Sequence, residues 1–119
     1  MREAFAHEVL VEMPPPADPA AIGAAVTVAL CGHWEHQPPC PLAPHHTRAD
    51  RVGEQVRVRM LFAAEPQSEG EVRDRINVAL SGGEQTGPDG ATSSWRVLSS
   101  EPSVVSAEEA DHAQRLIRS

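Results

Sequence analysis

The chain contains no lysine, and all ten of its basic residues are arginine. Seventeen aspartates and glutamates outnumber them, which gives a formal net charge of −7 at pH 7. A general nucleic-acid surface needs a basic patch that displaces counterions from phosphate groups. The charge balance therefore argues against nucleic-acid binding. The lack of lysine, together with the content of Ala and Pro, indicates a GC-rich coding genome.

Aromatic residues and long apolar runs are also scarce. Aromatic side chains make up only 3% of the 119 residues, so the core must consist mainly of Val, Leu, Ile and Ala. This length is enough for one such core, and we expect a single domain spanning 1–119. No apolar run reaches the length of a membrane span, and the first residues lack the apolar segment of a signal peptide. The sequence thus predicts a cytoplasmic protein without membrane contact.

Only two cysteines are present, and they lie together with four of the six histidines between residues 31 and 46. Their spacing is Cys-x-His-x2-His-x3-Cys-x4-His-His. Thiolate and imidazole are the ligands that zinc prefers, usually in sets of four. Prolines within the same segment stiffen it and reduce the entropy lost when ligands converge. The pattern predicts a Cys/His loop at 31–46 that binds a zinc ion.

Four of the six Cys and His residues are enough to complete a zinc site. The predicted ligands are Cys31, His36, Cys40 and His45, with His33 and His46 as alternates. Four protein ligands would close the coordination sphere, and the metal would then be structural and contribute to folding. Three ligands and a water would instead make a catalytic centre, in which Glu35 is the candidate general base. A surplus of ligands would also suit a metal carrier or sensor.

Two simpler interpretations of the same segment stay open. The histidines can be solvated loop residues, with Cys31 a small buried residue at a helix end. A disulfide between Cys31 and Cys40 is the other, although a cytoplasmic location disfavours it. Elsewhere the chain has no serine or cysteine nucleophile motif. The charged residues Arg73, Asp74 and Arg75 are expected to form a solvated helix face.

Periodicity and turn residues predict the order β-α-β-β-α-β followed by a C-terminal helix. An Asp18-Pro19 cap should open the first helix, and capping boxes at 68–71 and 106–109 should open the other two. A flexible loop is expected at 83–93. The predicted strands are 7–13, 46–51, 55–63 and 95–99, and the first and second helices end at Gly32 and Gly82.

This order, with a weak internal echo between 26–32 and 76–82, favours an α+β fold of the ferredoxin-like type. Such a sandwich has an antiparallel four-stranded sheet in the order 4-1-3-2, with both helices on one face. Glu8 and Glu12 would then pair across the open face with Arg57 and Arg59.

The topology also predicts that His7, the 31–46 loop and the Asp111-His112 pair gather at one end of the sheet. A second copy often covers the open face of such a sheet, so a homodimer is expected.

We therefore expect a metal-binding accessory or protein-interaction domain whose zinc ion is mainly structural. The alternatives are a small zinc-dependent hydrolase or lyase that uses Glu35, and a metal carrier or sensor. The expected partner is another protein or a second copy of the chain.

Overall fold

The computed structural model describes residues 2–15, 17–31, 44–87 and 90–118. The strands are β1 (Glu3–Glu12), β2 (His45–Val52), β3 (Gln55–Ala64), β4 (Glu84–Thr86), β5 (Thr92–Ser94) and β6 (Arg96–Ser103). The helices are α1 (Ala20–Cys31), α2 (Glu69–Ser81) and α3 (Ala110–Ile117). No helix in these described ranges has both the length and the apolar character needed to cross a membrane.

Four strands form one antiparallel sheet in the order β2-β3-β1-β6. The central pair is in register along its full length, with Phe5 opposite Phe62 and Val9 opposite Val58. The pairing of β1 with β6 contains an irregularity between Leu10 and Val11. The α+β architecture and its four-stranded antiparallel sheet, both predicted from the sequence, are confirmed.

The main core lies between the sheet and the first two helices. Alternate residues of β1 and β3 point to this side, which we call the first face, because side chains alternate along a strand. The buried residues of this core are Val9, Val11, Met13, Ile22, Ala25, Val26, Leu30, Val56, Val58, Met60, Phe62, Ala64, Val72, Ile76, Leu80 and Trp95. Most are aliphatic, as the scarcity of aromatic residues requires.

The opposite side of the sheet, which we call the second face, carries a smaller core. Ala6, Leu61 and Ala63 pack there against Leu116 of α3. Both faces of β3 are therefore buried from Met60 onward, whereas its first half alternates between exposed and buried residues. The expected C-terminal helix thus covers part of the face that a second copy was expected to cover.

Charged side chains surround this smaller core. Arg57 forms an ion pair with Glu8 across the strands, with 3.7 Å between Nε and Oε1. Arg59 instead pairs with Glu109 at the start of α3. Of the cross-strand pairs expected from the sequence, Glu8 and Arg57 form an ion pair, whereas Glu12 pairs with Arg96 of β6.

The helix starts agree with the sequence in two of three cases. The Asp18 carboxylate accepts a hydrogen bond from the backbone N–H of Ala20, at 3.0 Å, before α1. Ser106 and Glu109 form the predicted capping box ahead of α3. The box predicted at Ser68 is wrong, because Ser68 lies in a 3₁₀ turn with helical backbone angles and its side chain makes no capping hydrogen bond.

The segment predicted as a flexible loop, 83–93, contains β4 and part of β5. The two strands pair, and the Thr86 and Thr92 hydroxyls are 2.8 Å apart. Gly83 begins the segment with φ of +73°, and a Cβ there would lie 2.9 Å from the carbonyl oxygen of Trp95. A glycine is therefore required at this point, where the chain leaves α2 and passes close to Trp95.

Candidate functional site

The predicted metal ligands lie between the end of α1 and the start of β2. Cys31 is the last residue of α1, and His45 is the first residue of β2. The other predicted ligands, His36 and Cys40, and the alternate His33 lie outside the described residues, as does Glu35.

His45 faces α1 from the edge strand of the sheet. Its Nε2 lies 3.1 Å from the hydroxyl oxygen of Thr27, in the third turn of α1. The register places His45 opposite Phe62, and the preceding carbonyl, of Pro44, accepts a hydrogen bond from the N–H of Ala63 at 3.0 Å. Backbone pairing and a side-chain contact thus both fix the position of this imidazole beside α1.

His46 faces the opposite side of the sheet, because neighbouring side chains alternate along a strand. It pairs with Leu61 on the second face, and its ring centroid lies 4.4 Å from that of His112 in α3. Burial lowers the pKa of His46, and the charges of His112 and Arg48 lower it further. The two adjacent histidines therefore lie on opposite faces of the sheet, His45 towards α1 and His46 towards α3. A single ion near α1 can reach His45 but not His46.

The side chain next along β2 on the first face belongs to Thr47, which is half-buried but has a fully buried hydroxyl oxygen. The Thr47 hydroxyl has no hydrogen-bond partner within the described part of the chain. Thr47 packs against α1 at Gly23, where an added Cβ would lie 3.7 Å from its side chain. The unpaired hydroxyl thus belongs to a side chain that packs against α1 at Gly23.

His7 forms a second polar cluster, on the first face of the sheet under α2. Its side chain is only 2% exposed. Arg73 lies 2.9 Å from Nδ1, and the Ser100 hydroxyl lies 2.8 Å from Nε2. Ser100 in turn donates to the Asn77 side-chain oxygen at 2.5 Å. Burial and the charge of Arg73 lower the pKa of His7 to about 4, although the hydrogen bond with Asn77 opposes this effect.

The hydrogen bonds decide what this cluster can do chemically. A guanidinium is always a donor, so Nδ1 of His7 accepts from Arg73 and the ring proton is on Nε2. Nε2 therefore donates to Ser100 and cannot remove a proton from it, as a base that activates a serine must. The arrangement is a neutral histidine held in one tautomer, and it does not form a nucleophile pair.

Arg73 differs from the solvated residue expected on α2. Its side chain is only 12% exposed and pairs with Glu69 at 2.8 Å. Its guanidinium carbon also lies 5.9 Å from the centre of the Phe5 ring and 5.3 Å from that of Phe62. Charged residues at i and i+4 are usually an exposed pair, so nothing local indicates that Arg73 reaches into the core.

An apolar groove of about 470 Å³ lies between α1 and α2. Its apolar lining is Ala25, Val28, Ala29, Val78 and Ala79, and its polar lining is Glu71, Asp74, Arg75 and Gln85. The size and lining suit an apolar group with a polar edge.

Within residues 2–15, 17–31, 44–87 and 90–118, no three side chains of His, Cys, Asp or Glu lie together as a metal site requires. The predicted set also requires His36 and Cys40, which are not among those residues. No protein-family model matches the chain, and no curated protein is significantly similar to it.

Proposed function

We propose that the chain is a small cytoplasmic accessory domain of the ferredoxin-like type, whose fold is completed by a structural zinc ion. Cys31, His36, Cys40 and His45 are the proposed ligands. The strand order β2-β3-β1-β6, with α1 and α2 sharing one core with the sheet, supports the fold assignment. In this description, α3 and the β4–β5 hairpin are additions to the basic sandwich.

The observation that carries the zinc proposal is the contact between Thr27 and His45. It holds the start of β2 beside α1, within 3.1 Å. Thr27 precedes Cys31, the end of α1, by four residues, which is about one helical turn or roughly 6 Å along the axis. Two of the four proposed ligands thus come from chain segments that meet, although fourteen residues separate them in sequence.

The chemistry of the donor set fits zinc in particular. Two thiolates and two imidazoles are a common structural zinc set, and a reducing cytoplasm keeps thiols available. Because the core is small and almost entirely aliphatic, an ion that joins the two ends of the 31–46 loop would contribute a substantial part of the folding free energy.

We further propose that the domain self-associates through the part of the second face that α3 leaves uncovered. This area carries opposite charges in close proximity, including Glu8, Arg57, Arg48 and Asp50. A twofold axis would place each positive group of one copy against a negative group of the other. Analytical ultracentrifugation over a range of concentrations and salt should show a salt-sensitive dimer, and Arg57→Glu should weaken it. A concentration-independent monomer would exclude this interface.

The zinc proposal is tested on untagged protein by elemental analysis together with X-ray absorption spectroscopy. We expect one tightly held zinc per chain, bound by two sulfur and two nitrogen atoms. His45→Ala should weaken zinc retention against a chelator, whereas His46→Ala, one residue along but on the other face, should retain it. Protein without stoichiometric metal, or equal loss in the two variants, would contradict the proposal.

The same measurements separate the alternative functions. A shell of three protein ligands and one water, with a stable metal-free fold, would favour a zinc enzyme and make Glu35 the residue to examine. Fast exchange with several tolerated ligand sets would favour a carrier or sensor.

A further inference from the structure

We infer that His46 and His112 form a second metal site, which takes a divalent late transition ion such as Ni²⁺ or Cu²⁺ and joins α3 to the sheet. This site does not depend on the proposed zinc ion. It lies on the second face of the sheet, whereas His45 lies on the first face.

Both imidazoles are held by rigid elements before any ion binds. Pairing with β3 places His46 opposite Leu61. His112 follows Glu109 by three residues on the next turn, and the Glu109 carboxylate is bound by Arg59 through two hydrogen bonds of 2.7 and 2.8 Å. Ala113, the next residue of α3, is buried. Ligands fixed on packed elements lose little entropy when they bind an ion.

The distance between the rings matches a particular coordination geometry. Their centroids are 4.4 Å apart and their planes are inclined by 49°. With metal–nitrogen distances of about 2.0–2.1 Å, two imidazoles at neighbouring corners of a square or octahedron have centroids roughly 4.5 Å apart. Tetrahedral angles would require a wider separation, of roughly 5.2 Å by the same geometry. The pair therefore favours ions that prefer right-angled positions over a tetrahedral zinc.

Access and chemistry agree with this geometry. His46 is exposed and His112 is half-buried, so an ion reaches the pair from solvent and water fills its remaining positions. Neutral imidazole is a good ligand for Ni²⁺ and Cu²⁺. Among the first-row divalent ions, Cu²⁺ generally binds nitrogen ligands most tightly, and Ni²⁺ lies just before it in the order of rising affinity. An ion bound here connects His46 of β2 with His112 of α3, 66 residues along the chain, whereas Leu116 of α3 packs on residues of β1 and β3.

The test uses Ni²⁺, which does not oxidise thiols, and untagged full-length protein loaded with one equivalent of zinc. Titration calorimetry should show one Ni²⁺ site, and paramagnetic broadening in NMR spectra should be strongest at the His46 and His112 rings. His46→Ala or His112→Ala should each lower the Ni²⁺ affinity on the order of 100-fold, since a chelate becomes a single ligand. Gln114→Ala, which changes an exposed residue of α3, should leave the affinity unchanged.

A second readout examines the connection to α3 directly. Saturating Ni²⁺ should slow hydrogen exchange of the α3 amides in the native chain and should have no such effect in His112→Ala. The inference fails if Ni²⁺ does not broaden these two rings, or if both single variants bind it as tightly as the native chain. Because Cys40→Ser and His45→Ala leave the pair intact, they should retain this site even if they lose zinc, so the two proposals can fail separately.

Discussion

Arg59 and Glu109 form a bidentate ion pair that attaches α3 to the sheet. The Nε and one terminal nitrogen of Arg59 donate to the two carboxylate oxygens of Glu109 at 2.7 and 2.8 Å. The same guanidinium donates to the Ser103 hydroxyl and to the carbonyl oxygen of Val104. Both side chains are only 15% exposed. One arginine thus holds the end of β6, the loop after it and the start of α3.

Glu109→Gln should loosen α3. The hydrogen bonds to Arg59 lower the pKa of Glu109 to about 2, and its hydrogen bonds with Ser106 contribute. Because solvent partly screens the pair, we expect a loss of about 1–2 kcal/mol in the free energy of unfolding near pH 7. Urea unfolding measures this loss, and Glu108→Gln, which changes an exposed neighbour, is the matched control. Equal stability of the two variants would show that the pair contributes nothing.

The pH dependence of this pair follows from the direction of the shift. The folded-state pKa lies below the ordinary value of 4.5, so the stabilisation is complete above that value. It should disappear as the pH falls from 4.5 towards 2. Native protein should lose stability in this window more steeply than Glu109→Gln, and parallel curves would contradict the assignment.

Because of His7, the free energy of unfolding should begin to fall at a higher pH than the titration of Glu109 alone would cause. Its folded-state pKa of about 4 lies below the ordinary value of 6.5, so only the unfolded chain takes up a proton between these values. The free energy of unfolding should therefore be unaffected above pH 6.5 and fall by up to about 3 kcal/mol as the pH drops to 4. His7→Met, which fills similar space and does not titrate, should flatten this part of the curve. An NMR titration of the His7 ring with a midpoint near 6.5 would rule out the effect.

Thr47→Val should stabilise the protein. The Thr47 hydroxyl is buried without a partner among the described residues, and valine removes this polar group with little change of shape. We expect a gain of about 1 kcal/mol in the free energy of unfolding. Thr27→Val is the matched control, because the Thr27 hydroxyl contacts His45, and we expect it to cost about 1 kcal/mol. A loss of stability in Thr47→Val would mean that the hydroxyl has a partner.

Cys40→Ser should release the proposed zinc and lower thermal stability. If the ion contributes at least about 2 kcal/mol, the midpoint should fall by roughly 8 °C, at about 4 °C per kcal/mol for a domain of this size. A chelator should lower the midpoint of the native chain to the same value and leave that of Cys40→Ser unchanged. An unaltered melting curve with full metal content would exclude a structural site.

Local patterns predicted most of the fold. The alternation in β1 and β3 and the helical spacing in α1 and α2 identify the residues that form the main core. The Asp18 cap and the Ser106–Glu109 box mark two of the helix starts correctly. These features depend on neighbours within four residues, so the local sequence is enough to predict them.

Contacts between distant segments were not predictable in the same way. The burial of Arg73 depends on two phenylalanines and a histidine from other strands, whereas its neighbours in α2 indicate a solvated pair. His7 was expected beside the Cys/His loop and Asp111-His112. It contacts Arg73 and Ser100 on the first face. Of the expected group, His46 and His112 do meet, on the second face, and residues 32–43 of the loop lie outside the described residues.

The predicted metal site also has one part that the sequence predicts and one part that requires the structure. The position of His45 beside α1 follows from chain order, since β2 starts soon after α1 ends. Which of His45 and His46 faces α1 depends on the pairing register of β2 with β3, which sets His45 opposite Phe62 and His46 opposite Leu61. A shift of one residue exchanges the two faces, so the choice between these histidines required the structure.

Leu116 of α3 packs over Ala6, Leu61 and Ala63 and keeps the apolar part of the second face from solvent. Cleavage of the chain between Ser103 and Ser106 would separate α3 from the rest of the domain as a peptide that can dissociate. The shortened protein would then expose an apolar patch to solvent. Such a patch promotes aggregation, because association buries it again. Trimming the chain for crystallisation or fusion should therefore leave the last helix in place.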